Sequence, residues 1–78
     1  MEIFVVNCGF NVSRVLTDCA FKDQAAAKAY ADALNGDKAS AAARCRELIA
    51  LREGKDMVKF LAGEEGIAFE ITAVELKI

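Results

Sequence analysis

The sequence predicts an α+β fold, a small three-stranded, mostly antiparallel sheet with two to three helices packed on one face. Three observations carry that prediction. Ile3-Phe4-Val5-Val6 is an unbroken apolar run with β-branched members, too short for a helix. Residues 24–34 hold no β-branched residue, glycine or proline, and Asn35-Gly36 follows them as a helix stop. Residues 67–78 return to apolar side chains alternating with small or polar ones. Strands bracketing a helical middle place the helices on one side of a sheet. With 78 residues and no repeat or proline-bearing linker, the chain reads as one domain. A core of that size implies a stability of about 4–10 kcal/mol.

In chain order, the run within residues 2–8 reads as the central strand, covered on both faces. Cys8-Gly9 ends it, and Gly9-Phe10-Asn11 makes a tight connection in which Gly9 or Asn11 takes the left-handed conformation. Residues 12–18 form a second strand, hairpin-paired with the first and continuing toward Phe21, with Phe10 and Phe21 bracketing the hairpin. Its polar Ser13, Arg14 and Asp18 suit an outer strand. Asp23 caps or charges the first turn of a helix whose apolar face is Ala26, Ala27, Tyr30, Ala33 and Leu34.

A second helix runs roughly over residues 39–52, with Ala41, Cys45, Leu48 and Ile49 as its stripe and Arg44 and Arg46 to either side. Arg52 falls in line with the stripe. Either the helix has passed the edge of the core there, or the arginine stem lies over apolar surface with its head in water. Leu51 points away from the stripe. Residues 56–62 read as a short third helix ended by Gly63. The competing reading is a fourth strand, with Val58, Phe60 and Ala62 alternating before a Gly63-Glu64-Glu65-Gly66 loop. In the last segment Ile67, Phe69 and Ile71 give way to Val74, Leu76 and Ile78, a change of phase that predicts a bulge near Thr72-Ala73. The expected strand order puts the first strand between the second and the last.

The chemistry available is narrow. The chain has no histidine, so the commonest general base and metal ligand is missing. Its three cysteines are widely spaced, without a CxxC pair, which disfavours a zinc site or a disulfide framework and suits small core thiols in a reducing cytoplasm. No signal-peptide pattern opens the chain, and no apolar run reaches the ~18–20 residues of a membrane span. Neither Ser13 nor Ser40 sits in a nucleophile elbow, and Cys8 ends a strand without a base beside it. The acids of Gly63-Glu64-Glu65-Gly66 oppose phosphate binding. The expectation is therefore a protein that is not an enzyme and carries no cofactor.

Binding remains. Net charge is −2, but residues 38–59 hold six bases and three acids, whereas the rest holds four bases and nine acids. Arg44, Arg46, Arg52, Lys55 and Lys59, with Leu51 among them, form a candidate partner-binding surface for an acidic protein or a phosphate backbone. Glu64, Glu65, Glu70 and Glu75, together with Glu2, form the alternative acidic surface, suited to an arginine-rich channel. An exposed Leu51 or sheet edge is also compatible with a homodimer.

Residues 2–9, 12–22 and the alanine-rich helix over 23–35, with Phe21 before that helix and Phe69 to Leu76 as a closing strand, resemble small phage- and prophage-encoded proteins of β-β-α-β layout. Anti-CRISPR proteins are among these. Residues 37–63 are an insertion relative to that layout. The resemblance implies a non-catalytic inhibitor that binds a host protein or ribonucleoprotein complex, in its specific form a Cascade-type surveillance complex whose DNA recognition it blocks. No functional residue carries over, because these families share no site motif. The alternative is a small nucleic-acid-binding or adaptor module using the basic helices.

Overall fold

A computed structural model describes residues 1–10, 14–60 and 66–77, with the backbone alone for Arg14, Lys59 and Phe60. The elements are β1 (Glu2–Phe10), β2 (Arg14–Phe21), α1 (Gln24–Asn35), α2 (Lys38–Glu53), a 3-10 helix (Lys55–Phe60) and β3 (Ala68–Glu75). The sheet is antiparallel throughout with order β2-β1-β3, so the first strand is central as its composition predicts.

Strand alternation sorts the side chains of β1 into two sets. Phe4, Val6, Cys8 and Phe10 face the helices, where they meet Ala27 and Ala31 of α1, Cys45, Leu48 and Ile49 of α2, and Phe69 of β3. Ile3, Val5, Asn7 and Gly9 face the other way, level with Val15, Thr17 and Ala20 of β2 and with Ala68, Glu70, Thr72 and Val74 of β3. Both helices lie on the first side. The expectation of cover on both faces is therefore corrected: β1 is half-buried on its second face because two strands flank it. On that open face Thr17 Oγ1 donates to Asn7 Oδ1 at 3.2 Å, and Asn7 Nδ2 donates to Thr72 Oγ1 at 3.2 Å.

Two further corrections concern the strands. Gly9 and Phe10 belong to β1 rather than to a tight connection, since Gly9 pairs with both Val15 and Ala68. The bulge is not in β3, whose pairing with β1 runs without a shift from Ala68 to Glu75. It lies in β2, where Val6 pairs with Cys19 and Asn7 with Thr17, leaving Asp18 as the extra residue. The apolar phase of β3 changes because its later part puts Val74 on the open face, whereas Phe69 faces the helices.

Each helix is set by a cap. Asp23 accepts from the Ala25 amide at 3.1 Å, and Asp37 accepts from Ala39 and Ser40 at 3.1 and 3.3 Å. Ala31 is buried in α1 whereas Ala33, expected on its apolar face, is exposed, and the stripe Ala41, Cys45, Leu48 and Ile49 of α2 is buried as expected, joined by Ala42. Gly54 ends α2 at φ +100°, a conformation that side chains resist. The segment read as a third helix is the 3-10 helix Lys55–Phe60. The alternative strand does not form over its described part, and residues 61–65, including the expected loop, lie outside the described residues.

Candidate functional site

The bulge turns Asp18 toward the helices, where its side chain is 0% exposed. Asp18 Oδ1 accepts from Arg44 Nε at 3.0 Å and also from Arg44 Nη2, while Oδ2 accepts from the Tyr30 hydroxyl at 2.5 Å. Arg44 Nη1 donates to Glu47 at 2.7 Å. Arg52 Nη2 donates to the Thr17 carbonyl at 3.1 Å, one residue from the bulge. One carboxylate thereby ties β2 to both helices, and Tyr30 also packs on Phe21 with ring centroids 5.7 Å apart.

Burial pushes the Asp18 carboxyl up. Bonds from Arg44 and Tyr30 and the charges of Arg44 and Arg52 pull it further down, so it titrates below its ordinary 3.8. Tyr30 is pushed up to about 12 by burial, by its bond to Asp18 and by that charge. Arg44 is raised chiefly by its bond to Asp18. Burial raises all three thiols, Cys8 to about 12, so they are protonated near neutral pH and poor nucleophiles. Both Asp18 oxygens are occupied from within the fold, which makes the cluster a structural clamp rather than a place for substrate.

The residues predicted for binding are not gathered on one surface. Arg44 and Arg52 turn toward β2 and bond there, whereas Arg46 projects from the other flank of α2 and is exposed, as is Lys55. The side chain of Lys59 lies outside the description. Leu51 is 71% exposed, on the strip of α2 that also carries Glu47 and Arg44. In the acidic set, Glu70 stands exposed on the open sheet face, and Glu75 accepts from the Met1 ammonium at 3.0 Å. Glu64 and Glu65 lie outside the described residues.

Sequence alone presents Asp18 as an outer-strand polar residue and Tyr30 as a helix anchor, and does not join them. The one signal that could have done so is Arg44 at the margin of the α2 stripe, placed to meet an acid from a neighbouring element. Among the described residues no group of three acidic or thiol side chains is placed to hold a metal ion, and no helix is long and apolar enough to cross a membrane. Comparison with protein-family models, curated proteins and solved structures returns no match.

Proposed function

We propose that this chain is a non-enzymatic, cytoplasmic inhibitor of phage type that covers a surface on a partner protein complex. Its specific form is an anti-CRISPR protein that blocks DNA recognition by a Cascade-type surveillance complex. The observation that carries the reading is Leu51, a leucine held 71% exposed on the outer side of a 16-residue helix. Arg44 and Glu47 share its strip and are paired with each other at 2.7 Å, whereas Arg46 is exposed on the other flank of the helix. An apolar centre with a charged rim on a rigid support has the make-up of a protein-binding anchor. The internal commitment of Asp18, Tyr30 and Arg44 and the raised thiols fit a protein that acts by contact.

The nucleic-acid alternative has less support. Arg44 and Arg52 already bond within the fold, which leaves Arg46 and Lys55 as the exposed bases of the set not engaged in such a bond among the described residues. The test is capture of purified Cascade-type complexes by the immobilised chain. Capture is expected, weakened about tenfold or more by Leu51→Asp. Capture of none, or equal capture by the variant, overturns this form. Binding to DNA or RNA that falls steeply with salt and is lost in Arg46→Glu replaces it with the alternative.

A further inference from the structure

The outer edge of β3 is closed at one residue and open at the next three of the same phase. The Leu76 amide donates inward to the Met1 carbonyl at 2.7 Å, which places the even-numbered backbone groups of β3 against β1 and the odd-numbered ones outward. Outward at Phe69, the Asn35 side chain takes both groups: Phe69 N donates to Oδ1 at 2.8 Å, and Nδ2 donates to the Phe69 carbonyl at 2.8 Å. The amide acts there as a one-residue strand. Among the described residues nothing meets the outward backbone groups of Ile71, Ala73 and Glu75. The edge has neither a bulge nor a proline, and of its charged side chains Glu75 meets the Met1 ammonium at 3.0 Å.

We propose that a second copy of this chain pairs here, β3 against β3 in antiparallel fashion about a two-fold axis at Ala73, joining two sheets into one. Asn35 sets the register. With Phe69 already occupied, the symmetric arrangement that uses all three open residues puts Ala73 opposite itself and Ile71 opposite Glu75 of the second copy. No like charges then face each other: Glu70 meets Leu76, and Thr72 meets Val74. Lys77 of the second copy comes level with Phe69, beside Asn35 at the C-terminal end of α1. That end has no basic residue in its last turn, so the lysine adds a positive charge beside the helix C-terminus, twice by symmetry. Small domains commonly add stability by such association.

The test is sedimentation velocity of the full chain over a concentration series, with hydrogen exchange read at single amides. A dimer is expected in which the Ile71, Ala73 and Glu75 amides gain protection as concentration rises. Ala73→Pro deletes an outward N–H that the intramolecular ladder does not use, so it is expected to keep the fold by circular dichroism and to weaken dimerisation about tenfold or more. Ala73→Lys, which sets two like charges on the axis, is expected to do the same and serves if the proline variant does not fold. A monomer at every concentration, a dimer unaffected by the folded variant, or a dimer dissolved by Leu51→Asp instead overturns the proposal. The Leu51 surface is separate, so loss of partner capture and loss of dimerisation are distinguishable.

Discussion

At Asp18, burial alone would favour the neutral acid, but two donors and two positive charges hold it ionised. The consequence is a pH-dependent part of the stability. Because the folded carboxyl titrates below the unfolded value of 3.8, its contribution is complete above that value and is lost as pH falls through the folded one. Asp18→Asn keeps the shape and removes the charge. At neutral pH it is expected to cost about 1.5–3 kcal/mol, toward the lower end because Arg44 keeps partial access to water. Urea unfolding at about pH 7 and about pH 3 checks this: the gap between wild type and variant should shrink in acid. An equal gap at both would refute the linkage. The residue is hard to read from sequence because its strand alternates imperfectly, and an extra residue changes which face a polar side chain reaches without altering composition.

Among the elements, α1 and α2 are legible in the sequence because caps, stops and stripes are local signals. Asp37 follows Gly36 directly, so one helix stops and the next starts within two residues. The stripe of α2 is readable whole because Leu48 and Ile49 are large. That of α1 shifts to Ala31 because a run of alanines offers little difference in side-chain size between faces. The strands are harder. β1 continues through Gly9, whose missing side chain leaves the Ala68 carbonyl 3.6 Å from where a Cβ would stand, an ordinary contact that demands no turn. Asn35 reads as a helix stop, and nothing local marks it as the partner of Phe69, 34 positions away. Its role predicts a graded series. Asn35→Ala leaves both backbone groups of Phe69 without their partner and is expected to cost about 1–2 kcal/mol. Asn35→Asp retains an acceptor but sets a carboxylate against the Phe69 carbonyl, and should lose as much or more. Chemical denaturation checks the order, and an unchanged midpoint in both variants would remove Asn35 from the fold's support.

Over the whole molecule, a sheet with helices on one side must supply its core from that side alone. The described aromatic residues Phe4, Phe10, Phe21, Tyr30 and Phe69 all belong to that core or pack against it, and the open face carries aliphatic and neutral polar side chains with Glu70. Val15, at 64% exposed, stands on the open face, and Leu51 stands on the outer side of α2. Large apolar side chains therefore divide into those the fold needs and those it leaves out. Two leucines of one helix make the division measurable. Leu48 is 1% exposed among Val6, Cys8 and Cys45, so Leu48→Ala is expected to cost about 2–4 kcal/mol through lost burial and the cavity left behind. For a domain of this size that is a large share of the total, and the thermal midpoint should fall by about ten degrees or more. Leu51→Ala removes the same atoms from water-facing surface and should change stability by less than about 0.5 kcal/mol. If the outer side of α2 is the partner-binding surface, the second substitution weakens capture while the melting curve stays in place. The first lowers the melting curve and leaves capture by the remaining folded fraction intact. Equal thermal shifts from the two would mean that Leu51 is part of the folded core after all.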